Sequence, residues 1–196
     1  MKNAFAIFRV KPGWMGLVGD ERGVQRIYLP GLEKEDLRKR IQSEFPGCQG
    51  KAAFLEEAEK ELKEYFEGRR SRFGMVLDLS GVTPFQKKVY QVLSTIPFGE
   101  VRTYRWLAQK IGNPRALRAV GSANARNQWP PVIPCHRVVG SDGRLTGFSA
   151  PGGLELKANL LKLEGIHTEK GKVQVRSREA QGLWREAQGK KPRAEP

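Results

Sequence analysis

Apolar and polar positions alternate through the first thirty residues with a period of two, which reads as strands. Ala4-Phe5-Ala6-Ile7-Phe8-Arg9-Val10, Trp14-Met15-Gly16-Leu17-Val18 and Val24-Gln25-Arg26-Ile27-Tyr28-Leu29 are three such runs. Lys11-Pro12-Gly13 and Gly19-Asp20-Glu21-Arg22-Gly23 separate them as turns. The period then lengthens. Residues 33–44 place Leu37 and Ile41 on one side of a polar helix. Residues 54–66 set Phe54, Leu55, Ala58, Leu62, Tyr65 and Phe66 at helical spacing, and Cys48 falls in a loop between the two helices. A further strand over residues 73–77 precedes Asp78-Leu79-Ser80-Gly81. A strand meander with two helices predicts a small α+β domain over residues 1–80.

Beyond residue 80 the texture becomes helical. Thr83-Pro84 reads as an N-cap followed by proline at the first helical position, with Phe85, Val89, Val92 and Leu93 turned to a core. A second helix starts at the cap Thr103, buries Leu107, Ala108 and Ile111, and stops at Gly112. A third is expected from Asn113-Pro114 to about Ala125, so that a tight glycine turn joins two helices in a helix-turn-helix pattern. Its small residues, Ala116, Ala119, Gly121, Ser122 and Ala123, fit either close packing on a neighbouring helix or a slim helix that enters a nucleic-acid groove. Val138-Val139 reads as a strand, residues 140–144 as a turn, 146–153 as a glycine-rich loop, and 154–163 as a helix packed through Leu154, Ala158, Leu160 and Leu161. Residues 81–167 thus form a second domain. Residues 168–196 are a basic tail of polar, glycine-interrupted composition that favours disorder or a marginal helix, with Leu183-Trp184 as a docking point.

Charge sharpens the picture. The chain carries a net charge of +14, but unevenly. Residues 81–130 hold 8 Lys/Arg against a single acid, Glu100, whereas residues 1–80 hold 15 against 13. A basic segment beside a nearly neutral domain is the footprint of a polyanion partner, nucleic acid first among them. No apolar run has transmembrane length and no signal peptide is visible, so a cytoplasmic protein is expected, with no membrane partner. Two cysteines fit a reducing compartment. Without close-spaced Cys or His pairs, neither metal nor cofactor is expected.

One cysteine and one of only two histidines are neighbours in Pro134-Cys135-His136-Arg137-Val138-Val139. A thiolate is a strong nucleophile and alkyl acceptor, and a nearby imidazole or guanidinium lowers its pKa. In an extended segment, however, neighbouring side chains diverge.

Around this stretch the chain resembles the O6-alkylguanine-DNA alkyltransferases, the methylated-DNA–protein-cysteine methyltransferases. The resemblance runs continuously from about residue 84 to 166. It passes through Phe85-Gln86, Pro97-Phe98-Gly99-Glu100-Val101, Thr103-Tyr104, Gly112-Asn113-Pro114, Arg118-Ala119-Val120-Gly121 and Asn127. The Cys-His stretch, Gly152-Gly153-Leu154 and Glu164-Gly165 complete it. It implies a ribonuclease-H-like N-terminal domain followed by a winged-helix-like helix-turn-helix domain. It further implies Cys135 as alkyl acceptor, His136 as its base through a bridging water, and Glu164 as the acid that orients His136. Tyr104 would donate a proton to guanine N3. Arg118 would fill the space of a flipped nucleotide, and Thr103, Ala119, Gly121, Ser122 and Arg126 would contact DNA. Asn127 would act as hinge, and Pro134, Arg137, Val138 and Ser149 would shape the pocket. The implied activity is a single irreversible transfer of an alkyl group from O6-alkylguanine, with O4-alkylthymine as an extension, by a monomer acting on double-stranded DNA.

The chain departs from the family pattern at Gln128-Trp129, where a proline is usual and Trp129 would alter the pocket rim without touching the reactive groups, and in a 146–153 loop one residue longer than usual with Phe148 for tyrosine. Three rival readings share these residues: a non-catalytic lesion-binding alkyltransferase-like protein, a Cys-His-Glu hydrolase and a plain DNA-binding regulator. The first replaces the cysteine, the second explains neither the helix-turn-helix nor the charge asymmetry, and the third makes Cys135 only a core thiol.

Overall fold

The computed structural model describes residues 3–50 and 52–173. The chain folds into two compact units. The first comprises the described residues up to Val82 with Gln128–Val132 and Ala150–Leu156; the second comprises Thr83–Asn127, Ile133–Ser149 and the described residues from Lys157. Together they make an α+β protein. Among the described residues no helix is long and apolar enough to cross a membrane.

In the first unit the three runs form strands β1 (Ala4–Val10), β2 (Gly13–Asp20) and β3 (Gly23–Tyr28). They pair antiparallel in sequence, with Ala4 opposite Gly19 and Val10 opposite Gly13. Helix α1 (Lys34–Glu44) packs Leu37 and Ile41 against Phe5, Val18 and Tyr28. The approach is close: a Cβ at Gly16 would lie 2.9 Å from Ile41 Cδ1 and would push that methyl aside. A short strand β4 (Gln49–Gly50) adds to the sheet parallel to β1, giving the order β3-β2-β1-β4. No alternation in two residues could announce it. Helix α2 (Glu56–Phe66), entered through a 3-10 turn at Ala53–Leu55, buries Ala58, Leu62, Tyr65 and Phe66. Lys63 of α2 lies over the Phe8 ring. Phe8 points away from the face that holds Phe5, so helices cover both faces of the sheet. Phe54 itself is exposed, because it belongs to the entry turn.

The strand expected over 73–77 does not form. The Gly74 and Met75 N–H groups donate to the buried Glu61 carboxylate at 2.9 and 3.2 Å instead of to a neighbouring strand. Only Val76 and Asp78 exchange backbone hydrogen bonds with Val24. Trp129 is buried in the same unit and donates its indole N–H to the Val24 carbonyl at 2.7 Å. An enclosed indole needs a hydrogen-bond partner, and Trp129 finds it on β3.

The second unit opens with α3 (Pro84–Leu93). Thr83 accepts from the Gln86 N–H while the Gln86 side chain accepts from the Thr83 N–H, a full capping box. Val89 and Leu93 are buried, but Phe85, four positions before Val89 on the same stripe, lies in the first turn and is exposed. Strand β5 (Arg102–Thr103) leads directly into α4 (Tyr104–Lys110). Helix α5 (Leu117–Ala125) begins three residues later than the Asn113-Pro114 cap predicts. The chain first makes a separate turn, closed by Ala116 N–H to Asn113 O, and the N-cap Ala116 has no side chain to cap with. Strand β6 (Val138–Val139) pairs parallel to β5. Helix α6 (Gly153–Leu163) buries Leu156, Lys157, Leu160 and Leu161, while Leu154 in its first turn is exposed. Where a tail was expected from residue 168, β7 (Thr168–Glu169) and β8 (Lys172–Val173) pair antiparallel. Val173 joins a core cluster with Val101, Val139, Leu145 and Leu161, so apolar burial holds this hairpin down. The expected docking pair Leu183-Trp184 and the rest of the tail lie outside the described residues.

Candidate functional site

Pro134 ends the approach to a single 3-10 turn, Cys135–Arg137, that runs straight into β6. A 3-10 turn has about three residues per turn. Successive side chains therefore do not diverge to opposite faces as they would in a strand, and the objection to neighbouring Cys and His loses its basis. Cys135 is 7% exposed. Asn127 donates its Nδ2 proton both to the Ile133 carbonyl at 2.7 Å and toward Cys135 Sγ at 3.1 Å, which pins the turn to the end of α5. Burial pushes the Cys135 pKa up; the Asn127 hydrogen bond and the charge of Lys157 pull the other way. At rest the group is a protonated thiol, which needs a base.

His136 is fully buried, with Nε2 at 2.8 Å from Glu164 Oε1. Glu164 follows the last residue of α6, and Gly165 in the left-handed region (φ 80) turns the chain immediately afterwards. Arg137 grips the same carboxylate as a fork, Nε to Oε2 at 2.8 Å and Nη2 to Oε1 at 2.9 Å, and gives Nη1 to the Ile96 carbonyl at 2.6 Å. Burial alone would raise the Glu164 pKa, but the hydrogen bonds from His136 and Arg137 and the Arg137 charge outweigh it and bring it down to about 2. An ionised carboxylate only accepts, so Nε2 carries the proton. Burial also drives the His136 pKa down, against the pull of Glu164. The ring is therefore neutral at pH 7 and its Nδ1 holds a lone pair. That atom is buried without a hydrogen-bond partner among the described residues.

Lys157 was not foreseen. Its ammonium is enclosed and donates to the Val138 carbonyl at 2.6 Å and the Thr146 carbonyl at 2.9 Å. Burial lowers its pKa to about 8. The signal existed in the sequence: Lys157 stands three and four positions before Leu160 and Leu161, on the apolar stripe of α6. The Thr146 carbonyl also accepts, at 3.4 Å, from the Tyr104 hydroxyl at the start of α4. The Tyr104 pKa is raised by burial, with the Thr146 and Asn124 contacts acting against it.

Tyr104, Arg105, Leu117, Arg118, Gly121, Ser141, Thr146 and Gly147 line a cleft of about 480 Å³. The small residues of α5 do not serve close packing alone. Ala119, Ser122 and Ala125 are exposed, as are Arg118 and Arg126, and a Cβ at Gly121 would meet nothing within 4 Å. Among the expected DNA contacts, Arg118 and Gly121 border the cleft and Ala119, Ser122 and Arg126 stand on the exposed face of α5. Thr103 does not belong with them. It is fully buried and its hydroxyl accepts from the Trp106 N–H at 3.1 Å, so it caps α4 and has no surface to offer a duplex. Val138 is enclosed and contributes its carbonyl. Ser149 is exposed, and its hydroxyl donates to the Ala125 carbonyl at 2.7 Å, tying its loop to the end of α5. Among the described residues no three His, Cys, Asp or Glu side chains are grouped to hold a metal ion.

The chain is similar to known proteins over most of its length. The family model described as 6-O-methylguanine DNA methyltransferase, DNA binding domain, matches residues 84–166. The methylated-DNA–protein-cysteine methyltransferase of Methanosarcina acetivorans is 42% identical over 163 residues, covering 82% of this chain and 97% of that one. The constitutive enzyme of that name from Bacillus subtilis is 40% identical over 158 residues, 79% of this chain and 90% of the other. The crystal structure of Mycobacterium tuberculosis O6-methylguanine methyltransferase superposes with a TM-score of 0.70 at 33% identity, covering 86% of this chain and 96% of that one. The Mycobacterium tuberculosis OGT in complex with DNA gives 0.70 at 34% identity over 82% and 92%.

Proposed function

The chain belongs to the methylated-DNA–protein-cysteine methyltransferase family, and from that membership we propose that it repairs O6-alkylguanine in DNA by taking the alkyl group onto Cys135. The observation that carries the reading is the buried thiol joined in one short turn to a neutral His136 held by an ionised Glu164, with Asn127 on its sulfur. His136 Nδ1 takes the thiol proton, passed through a water. The sulfur attacks the alkyl carbon in line, the S–C bond forms as the C–O6 bond breaks, and the bonding pair passes into the purine. Tyr104 supplies a proton to N3, so the base leaves neutral. A methyl thioether offers water no good leaving group, so each molecule acts once.

The alkyl carbon is out of reach inside a duplex, and flipping the nucleotide costs a few kcal/mol. Arg118, exposed on the slim helix α5, fills the vacated space and offsets part of that cost. The eight Lys/Arg of residues 81–130 supply largely sequence-independent affinity for double-stranded DNA. Thymine alkylated at O4 presents the same in-line carbon and is a second substrate. We place the protein in the cytoplasm, a reducing compartment that keeps the Cys135 thiol free, and as a monomer, since one chain carries every group the reaction uses. A lesion-binding module without chemistry would not need a thiol at position 135.

Stoichiometry tests the reading. Protein in deficit over a duplex with one O6-methylguanine is expected to remove one methyl group per molecule and stop, and Cys135→Ala to remove none. Continued turnover, or an active Cys135→Ala protein, overturns it.

A further inference from the structure

Helix α5 meets the cleft through Leu117 and Gly121, four positions apart. The next residue on that face is Asn124, three further along. Asn124 is 5% exposed, between the apolar Ala123 and the surface residue Ala125, and neither its amide nitrogen nor its amide oxygen has a hydrogen-bond partner among the described residues. A buried amide with both ends unpartnered is rare in native proteins and costs stability that leucine or alanine would not. Such a group stays where an occupant or a moving partner completes it. The neighbour in reach is Tyr104: its hydroxyl feels the Asn124 amide, in opposition to the effect of burial. The same hydroxyl is otherwise held only by a long 3.4 Å contact to the Thr146 carbonyl, poor geometry for a group that must place its proton on one ring nitrogen. Hydrogen bonds of this kind lengthen in the empty site and tighten when substrate arrives.

We propose that Asn124 is a positioning residue for Tyr104: when the base enters, Asn124 Nδ2 donates to the Tyr104 hydroxyl oxygen and aims the hydroxyl proton at N3 of the alkylated purine. As the S–C bond forms, negative charge grows on the purine and is partly handed to the tyrosine oxygen. A donor already placed on that oxygen stabilises it more in the transition state than before it. This inference rests on the alkyl-transfer reading above, and specifically on Tyr104 meeting N3.

The test is a double-mutant cycle on single-turnover methyl transfer, with the full-length chain. A hydrogen bond to a group that gains charge predicts that Asn124→Leu slows transfer from an O6-methylguanine duplex by about 10- to 100-fold. In a Tyr104→Phe background the same substitution is expected to change the rate by less than about 3-fold, since the pair acts as one unit. A duplex carrying O6-methyl-3-deazaguanine, which lacks the N3 acceptor, should likewise make the wild type and Asn124→Leu nearly equal. Asn124→Ala runs beside it in the same cycle, because removing atoms next to an open cleft is tolerated even where leucine is too bulky. Equal slowing by both substitutions with and without the tyrosine hydroxyl, or on the 3-deaza duplex, would mean a packing role only and overturn the inference. Absence of transfer by the wild type would instead overturn the alkyl-transfer reading itself.

Discussion

Replacing Glu164 by glutamine removes the one negative charge that both His136 and Arg137 engage. A carboxyl held at about 2 instead of its ordinary 4.5 stabilises the folded state by about 3 kcal/mol, at 1.36 kcal/mol per pH unit. The side chain is fully enclosed, so solvent screening does not reduce this much. The sign follows from proton binding. Between these two values the unfolded chain binds the proton and the folded chain does not, so stability is present above about pH 4.5 and is lost as pH falls toward 2. The lowered pKa of His136 acts in the same direction at higher pH, because the unfolded imidazole protonates first. Urea denaturation of wild type and Glu164→Gln is therefore expected to differ by about 3 kcal/mol at neutral pH, in the range for breaking a buried pair. About 2 kcal/mol of that gap should be gone by pH 3. Glutamine can also donate to Nε2 and turn the imidazole to the wrong tautomer, so methyl transfer should fall on the order of 10³-fold. A gap below 1 kcal/mol at neutral pH, or one that does not narrow on acidification, would refute an ionised Glu164 as the anchor of this site.

Three other substitutions probe separate parts. Lys157→Met removes a charge that lowers the thiol pKa, so single-turnover transfer should slow at neutral pH and its pH profile move to higher pH; an unshifted profile would mean Lys157 acts on packing alone. Arg118→Ala should leave stability within about 0.5 kcal/mol and reduce the slope of log affinity against log salt by about 1, measured by DNA titration at several salt concentrations. Asn127→Ala loses two contacts around the reactive turn and should cost about 1–3 kcal/mol in urea while raising the thiol pKa, read from iodoacetamide reactivity against pH.

The parts of the molecule that were legible in advance are those with a period or a cap. Strands β1 to β3 and helices α1 to α3 carry long alternating or amphipathic runs, and Thr83-Pro84 marks a helix start that the capping box then closes. Short elements were not legible. Strands β4, β5, β7 and β8 have two residues each, and only their tertiary partners make them strands. The 73–77 run has strand composition but gives its N–H groups to Glu61, a side chain thirteen and fourteen positions away that no local pattern connects to it. At the candidate site, Cys135, His136, Glu164, Tyr104, Arg118 and Asn127 were read through family resemblance. Their contacts needed the fold, because Glu164 reaches His136 across 28 positions. Lys157 and Asn124 were overlooked because each sits among apolar neighbours, where a polar residue is easily counted as surface. Thr103 is legible as the cap of α4, but its place among the DNA contacts comes only from the resemblance, and its enclosure excludes that role.

The central claim is that Cys135 is the acceptor, and peptide mapping by mass spectrometry tests it most directly. After the protein reacts with a duplex carrying isotopically labelled O6-methylguanine, the digest should show one labelled methyl on the Cys135 peptide. Cys48, half-buried with its thiol pKa raised by burial, should stay unmodified. Label on Cys48, on another residue or released to solvent as methanol would contradict the account.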